Sequence, residues 1–340
     1  MISTPLPAPT TGTRRETRRA AGRRHPRRWR LSALSVVVAA LCLSGVSVAL
    51  YPATAQWFSA SEQAEQIRDG VNDVHVIGPA SRVTALEQAE AYNALLDAGA
   101  AVQANERLPV DAGATLPGGF DYADLLAANK DGLMGRIVIP AIGADLPIYH
   151  GTSDATLAEG VGHLEGSSLP VGGTGTHAVL AGHRGLATSA LFTDLDRVRN
   201  GDTFSLYVFG ETLTYKINSI RVVDPDDSKS LNPVAGKDLV TLVTCTPIGI
   251  NSQRILVTGE RVTPTPPSAI AAGMEGAAGP GFPWWVVGFV ATLSVAGWFV
   301  WWCGLPPTSA GATRAAGATR AADTGRRRRR RAPEPNTGSA

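Results

Sequence analysis

Three side chains in this sequence form a set that could carry out nucleophilic chemistry: a cysteine, a histidine and an arginine. Cys245 follows the apolar run 239–244, and Arg254 precedes the next apolar run, 255–257, after a loop marked by proline and glycine. Runs rich in Val, Ile and Thr predict strands. If the two strands pair as a hairpin, the thiol and the guanidinium lie at the same end of a sheet. A cation beside a thiol favours the thiolate, which is the reactive form.

His183 is the histidine best placed in the sequence to act with Cys245. It follows the strand-like run 176–181 and lies within the segment Gly182–Gly185, whose end residues are glycines. Glycines remove side-chain bulk and allow unusual backbone dihedrals, which suits an imidazole presented at a strand end. An imidazole can take the thiol proton and later protonate a leaving amine. The two residues are 62 positions apart (245 minus 183), so their proximity is an assumption at this point.

The chain has three cysteines, and only one of them lies outside long apolar runs. Cys42 and Cys303 lie inside such runs, and we assign them no role beyond packing. Cys245 therefore has no partner for a disulfide within the part of the chain between these runs. A lone cysteine of this kind is either a buried, inert residue or a working thiol.

Other kinds of site fit the sequence less well. The spacings C-x-x-C and H-x-x-x-H, typical of zinc sites, are absent, as is the G-x-S-x-G motif of serine hydrolases. Asp224, Asp226 and Asp227 form an acidic cluster that we interpret as a solvated turn, with too few oxygen ligands for calcium. We expect no metal and no cofactor. For Arg254, the alternative to a catalytic role is a solvated residue at a strand edge.

Charge is concentrated at the two ends of the chain. The net charge is only +2, but arginines crowd residues 14–30 and 326–331, and the charges between these blocks are mixed. Nucleic acid is therefore not an expected partner. Residues 1–30 are predicted to be a basic cytoplasmic tail and residues 31–50 a transmembrane helix. A signal peptide cleaved after the A-x-A sequence at 53–55 is the alternative, and under either interpretation the chain beyond this point is exported.

A second apolar span is predicted near the other end of the chain. Residues 263–283 are rich in Pro, Thr, Gly and Ala and are interpreted as a linker that cannot pack a core. Residues 284–305 are uncharged and carry tryptophans near both ends, as in an interfacial belt. A buried core helix is the alternative for this span. Residues 306–340 are predicted to be a disordered basic tail, so both termini are expected in the cytoplasm and residues 51–283 outside the membrane.

The region between the two spans changes its pattern at residue 135. Residues 51–134 predict two helices, separated at Gly78-Pro79, and then a lid-like surface loop. Residues 135–262 hold many short strands separated by turn residues, which indicates a β-barrel or sandwich. The predicted strands are Arg136–Pro140, Leu146–Tyr149, Thr176–Ala181, Thr203–Phe209, Leu213–Val223, Leu239–Thr244 and Ile255–Val262.

These residues resemble those of a known family. The sequence TLVTC at 241–245, Arg254 nine positions after the cysteine, and His183 in GHRG resemble the signature of sortases, the membrane-anchored cysteine transpeptidases of Gram-positive bacteria. Several further segments are similar to class C, the pilin-polymerising sortases, as is the second apolar span. These segments are 147–152, 160–166, 168–173, 191–195 and 223–227.

The resemblance implies a mainly β fold, a sortase-type closed β-barrel with N-terminal helices, flanked by two transmembrane helices. It implies Cys245 as the nucleophile, His183 as general acid/base, and Arg254 as the group that stabilises the oxyanion or the substrate. The implied reaction cleaves an LPxTG-like sorting signal between Thr and Gly through a thioacyl intermediate. A pilin lysine then resolves it, so pilin subunits and the membrane are the expected partners.

The sequence departs from the class C pattern before the barrel. Such enzymes often carry a lid with an Asp-Pro-aromatic motif, and residues 105–120 hold no such tripeptide. Phe120-Asp121-Tyr122 has another order, and Tyr122 fits better as the start of the segment leading into the barrel. We therefore expect a groove that is covered loosely or by different contacts. Two alternatives stay open: a sortase that anchors single proteins to the cell wall, and a non-catalytic membrane-anchored β-domain with Cys245 in its core.

Overall fold

The structure, a computed structural model, describes residues 29–97, 119, 121–227 and 229–305. These residues belong to two compact units, divided after Ser44 and before Thr292. The helices are α1 (Ala33–Ile77), α2 (Pro79–Asp97), α3 (Asp154–Glu159), α4 (Pro267–Met274) and α5 (Trp284–Cys303). The strands are β1 (Leu133–Ile139), β2 (Ala144–His150), β3 (Val161–His163), β4 (His177–Ala181), β5 (Thr203–Val208), β6 (Glu211–Val223), β7 (Leu239–Thr246) and β8 (Gln253–Arg261).

The eight strands close into a barrel in the order β1-β2-β3-β4-β7-β8-β6-β5. The pairs β2–β3 and β4–β7 are parallel, and the other adjacent strands pair antiparallel. The closed, mainly β fold expected from the sequence is therefore confirmed. The sequence did not predict β3, because three residues around Gly162 are too short a run to show alternation.

The barrel interior is filled by large apolar side chains from strands that lie next to each other. Phe204 on β5 and Tyr215 on β6 are fully buried and stack with ring centroids 5.5 Å apart. Leu242 on β7 and Val257 on β8 are also fully buried and pair across the ladder. Burying each such side chain contributes roughly 1.5–3 kcal/mol. This packed interior fixes the positions of the ends of β4, β7 and β8.

The two N-terminal helices are separated at the predicted glycine and proline. Gly78 has φ +85°, a left-handed conformation that suits the end of α1, and Pro79 begins α2 with the missing N–H of a first helical position. Within α1, however, the backbone has no break at residue 51, where the sequence interpretation separated a transmembrane span from a soluble helix. The helix therefore continues through the boundary predicted at residue 51.

The segment 263–283 differs from its prediction as a linker without packing. It contains α4, and Tyr207 and Arg136 of the barrel donate hydrogen bonds to two backbone carbonyls of this helix, at 3.0 and 3.3 Å. Farther along, Ala277 is buried against α1 with Ala64 and Ile67. The composition was misleading because alanine, which is frequent in linkers, is also small enough to pack closely against a helix. The interpretation of this segment as unable to pack was wrong.

Among the described residues, two helices are long and apolar enough to cross a membrane: α1 and α5. Tryptophans make contacts within each compact unit. In one unit, Trp29 Nε1 donates to the carbonyl of Trp301 at 3.1 Å. In the other, Trp57 Nε1 donates to Gly281 at 2.8 Å, and the Trp57 ring lies edge-on to that of Trp285. Such rings with a polar N–H suit the interface between lipid and water.

A buried histidine ties the segment before the barrel to β3. His163 is fully buried, and its Nε2 lies 2.9 Å from the carbonyl oxygen of Ser168. Because a carbonyl only accepts, Nε2 carries the proton, and Nδ1 accepts a hydrogen bond of 2.7 Å from the Tyr122 hydroxyl. Burial lowers the pKa of His163 to about 4 and raises that of Tyr122, so the pair is neutral at ordinary pH.

Lowering the pH from about 6.5 to about 4 is expected to destabilise the protein through His163. Between these pH values the unfolded chain binds a proton on this histidine and the folded chain does not, so folding stability rises with pH across this window. The full contribution is roughly 3 kcal/mol. Thermal unfolding of the detergent-solubilised chain at a series of pH values measures it.

The control compares two His→Gln variants. His163→Gln is expected to flatten the pH dependence between 6.5 and 4, whereas His75→Gln, at an exposed position of α1, should leave it unchanged. An unchanged slope in the His163 variant would show that other groups cause the acid sensitivity.

Candidate active site

The predicted hairpin is present, and it pairs the thiol with the arginine. Strands β7 and β8 run antiparallel, and Cys245 is the register partner of Arg254. Paired residues on adjacent strands place their side chains on the same face of a sheet. Thr244 is 2% exposed, whereas Cys245 and Arg254 are both half-buried. The thiol and the arginine therefore share a partly solvated face at one end of the barrel.

The parallel pair β4–β7 brings His183 to the same place. Ala181 is the register partner of Val243, and the pairing continues beyond the strand, because the Gly182 amide donates to the Val243 carbonyl at 3.0 Å. The Thr244 hydroxyl in turn donates to the Gly182 carbonyl at 2.7 Å. His183 directly follows Gly182, and Cys245 directly follows Thr244, so each comes next in sequence after this contact. The sequence prediction that these strand ends meet is thus matched by the strand register.

The glycines around His183 have a packing reason as well as a conformational one. A Cβ on Gly182 would lie 2.6 Å from the ring of Phe192, so only glycine lets that ring cover the backbone. Gly185 has φ +75°, and a Cβ there would lie 2.5 Å from the side chain of Ile248. Phe192 also donates its amide to the His183 carbonyl at 3.1 Å. The loop that carries the imidazole is therefore folded back tightly against its surroundings.

Arg254 is held by the loop that precedes it. Its Nη1 donates to the carbonyls of Asn251 and Gln253, at 2.9 and 3.1 Å. The backbone is paired with Cys245, but these bonds direct the guanidinium toward the β7–β8 turn. The sequence predicted that the guanidinium and the thiol lie at the same end of the sheet, and the register confirms this placement for the two residues.

Arg184 contributes to this region, although sequence reasoning did not single it out. Its guanidinium donates from three nitrogens: Nε to the Thr193 carbonyl at 3.0 Å, Nη1 to the Thr246 hydroxyl at 3.0 Å, and Nη2 to the carboxylate of Asp196 at 2.6 Å. The side chain is only 8% exposed. The only signal in the sequence was its position between His183 and Gly185, which does not predict its partners.

The other histidines of the barrel make hydrogen-bonding contacts within the fold. His163 is bonded to Tyr122, and the ring nitrogens of His177 lie 2.9 Å from the Asn232 carbonyl and 2.7 Å from the Thr241 hydroxyl. His150 faces two backbone carbonyls, at 2.9 and 2.6 Å. These contacts leave His183 as the barrel histidine that lies at the strand ends with Cys245.

The acidic cluster after β6 forms a turn. The Ser230 hydroxyl donates to the Asp227 carboxylate at 2.7 Å, and this bond lowers the pKa of Asp227. Within the described ranges, no group of three or more His, Cys, Asp or Glu side chains could hold a metal ion. The predicted departure from the class C lid falls on residues 105–120, of which the structure describes only Gly119. The expectation of a loosely covered groove therefore stays a prediction.

Comparison with known proteins points to one family. A family model described as the sortase domain matches residues 137–262. Sortase A of Bacillus anthracis is 31% identical over 144 residues, which cover 42% of this chain and 67% of that protein. Among solved structures, sortase C1 of Streptococcus agalactiae is 42% identical with a TM-score of 0.52, covering 59% of this chain and all of that one. Sortase C of Streptococcus pneumoniae is 37% identical with a TM-score of 0.51, covering 60% and 99%.

Replacing the imidazole is expected to slow the reaction of Cys245 with iodoacetamide. Near neutral pH the rate should fall roughly tenfold in His183→Ala, because a neighbouring imidazole stabilises the thiolate. The measurement is mass spectrometry of the modified chain, with Cys42 and Cys303 replaced by serine. His75→Ala, at an exposed position of α1, serves as the control. Equal alkylation rates in the His183 variant and its parent would show that the imidazole does not affect the reactivity of the thiol.

Proposed function

This chain belongs to the sortase family of cysteine transpeptidases, and we propose that Cys245, His183 and Arg254 carry out its reaction. The observation that carries the proposal is the strand register, in which Cys245 pairs with Arg254 and the β4–β7 pairing extends to Gly182, the residue before His183. Cys245 is also half-buried. This argues against the non-catalytic alternative, in which the cysteine is a core residue.

The proposed first half of the reaction forms a thioester. The Cys245 thiolate attacks the carbonyl carbon of threonine in an LPxTG-like sorting signal, and a carbon–sulfur bond forms as the carbonyl oxygen becomes an oxyanion. Arg254 donates hydrogen bonds to that oxyanion or to a neighbouring substrate carbonyl. When the Thr–Gly bond breaks, His183 gives its proton to the glycine amine, which leaves.

The second half transfers the acyl group to an amine. His183, now neutral, takes a proton from the incoming amine, whose nitrogen attacks the thioester carbon. The carbon–sulfur bond breaks, a new amide bond forms, and the Cys245 thiolate is restored. The reaction needs no cofactor, because the thioester retains enough free energy from the cleaved peptide bond to form the new amide bond.

We propose a pilin lysine as the accepting amine, which makes the product a covalent pilus. The support is the likeness to the class C structures, of which that of Streptococcus pneumoniae has been described in terms of pilin substrate specificity. The second apolar helix, α5, is consistent with this class. Transfer to cell-wall peptide is the second candidate, and the likeness to sortase A of Bacillus anthracis favours it. The two candidate functions differ in the amine that accepts the acyl group.

The proposed location is the outer face of the cell membrane. With α1 and α5 as anchors, the basic segments 14–30 and 326–331 would lie in the cytoplasm with both termini. The barrel then faces outward, where both the substrate proteins and the cell wall are found.

The β7–β8 loop offers an apolar surface for the sorting signal. Ile248 and Ile250 are 52% and 73% exposed and lie shortly after Cys245 in sequence. We propose that these two isoleucines contact the apolar Leu-Pro part of an LPxTG-like peptide, because such contact would remove apolar surface of both partners from water.

Replacing the proposed nucleophile is expected to abolish product formation. The solubilised chain is incubated with an LPxTG peptide and with either a pilin-derived lysine peptide or a cell-wall peptide amine, and products are identified by mass spectrometry. Cys245→Ala should lower the rate by about 10³-fold or more. Product that survives this substitution would sink the nucleophile assignment. Product with the wall amine only would select the second candidate.

Arginine at 254 is expected to be required for more than its charge. Arg254→Lys should lower kcat/KM by about 10²-fold, because lysine keeps the charge but lacks the planar fork of donors that holds an oxyanion or carbonyl. Arg221→Lys, an exposed position on β6, is the matched control and should be close to neutral. Full activity in the Arg254 variant would indicate that charge alone suffices.

A further inference from the structure

We propose that Arg184 is a positioning residue that fastens the His183 loop to the strand end that carries Cys245. The inference rests on the proposed function, in which these two side chains act as a pair. Arg184 follows His183 directly, and its Nη1 bonds to the side chain of Thr246, which follows Cys245 directly. One side-chain bond thus joins the immediate neighbours of the two reacting groups.

The loop between β4 and β5 needs such a link, because its attachment to β7 by backbone pairing ends early. The last backbone bond of the β4–β7 ladder joins Gly182 to Val243, and β4 itself ends at Ala181. Beyond that point the orientation of His183 depends on how its loop is held. A displacement of about 1 Å between reacting groups can lower the rate by about 10²-fold.

The other two bonds of Arg184 close the loop on itself. Nε donates to the carbonyl of Thr193, whose hydroxyl accepts the amide of Gly185 at 3.0 Å. Nη2 pairs with Asp196, whose side chain is 47% exposed. The guanidinium therefore joins three places in the chain, two within the loop and one on β7.

A second contact between the same two segments lies beside this guanidinium. Gly185 faces Ile248 of the β7–β8 loop, at a distance that leaves no room for a Cβ. The polar link at Arg184 and the close packing at Gly185 thus act between the same two segments. Both would be lost if the His183 loop moved away from β7.

A direct contact with substrate is a different role for Arg184, and its surroundings oppose it. The side chain is 8% exposed, and Nε, Nη1 and Nη2 are each already bonded to a protein oxygen. Lysine could keep the ion pair with Asp196 but not all three bonds, because its ammonium is a point charge without the fork geometry. The conservative substitution therefore tests positioning separately from charge.

The first test measures transpeptidation in Arg184→Lys, Thr246→Val and the double variant. In Arg184→Lys we expect kcat to fall 10- to 100-fold, KM to change less than about twofold, and the melting temperature to stay close to that of the parent. The effects of the two substitutions should not multiply, since both remove the same bond. Arg197→Lys is the control, an arginine of the same loop that is 72% exposed and pairs with Asp194; its kcat should be unchanged.

The second test needs no substrate, so it separates this inference from the proposed function. Alkylation of Cys245 by iodoacetamide should slow in Arg184→Lys by nearly as much as in His183→Ala, and adding His183→Ala to the Arg184 variant should slow it little further. The positioning role would be overturned if the effects of the two single substitutions multiplied in the double variant of either test. It would also be overturned if the loss of kcat were accompanied by a lower melting temperature. Product formation by Cys245→Ala would instead overturn the proposed function, while the alkylation result would still decide the role of Arg184.

Discussion

The parallel pairing of β4 with β7 is the constraint on which the site depends. The hairpin of β7 and β8 brings Cys245 and Arg254 together locally, because only the short loop between the two strands separates them in sequence. His183 reaches the same sheet end only because Ala181 is paired with Val243, across a connection that contains β5 and β6. Closure of the barrel requires this pairing, since β4 and β7 are neighbours in the closed order. The stability of the fold and the placement of the imidazole therefore come from the same ladder of backbone hydrogen bonds.

Local pattern was enough to predict most strands, and it failed where the structure depends on non-local contacts. β7 and β8 are long Val/Ile/Thr-rich runs, so their existence followed from the sequence, and the turn residues between them predicted the hairpin. β3 is three residues long and is formed by pairing with β2 and β4, which no periodicity shows. α4 was missed for a similar reason: its composition is that of a linker, and Arg136 and Tyr207 of the barrel hold it in place.

For the site, residue type was more informative than residue position. A single thiol outside the apolar spans, an imidazole between glycines and a nearby arginine were recognisable in the sequence alone. The contacts of Arg184 were not, because two of its acceptors, Thr193 and Asp196, lie farther along the same loop and the third, Thr246, lies on β7. The glycines were interpreted as removing side-chain bulk and allowing unusual dihedrals, but the sequence did not show that the ring of Phe192 fills the space at Gly182. Such requirements arise only when distant segments pack together.

The three proposed catalytic groups are held with different rigidity, and the difference follows from their contacts. Cys245 is part of a paired strand, and the loop of His183 is joined to that strand through Arg184. The guanidinium of Arg254, in contrast, is bonded to carbonyls of the β7–β8 loop, whose isoleucines at 248 and 250 are exposed. A peptide that covers these isoleucines would contact the same loop that holds Arg254. In the proposed reaction, a sorting signal bound at this loop would therefore act on the arginine, whereas the His183 loop and the Cys245 strand are joined by the contacts of Arg184 and Thr244.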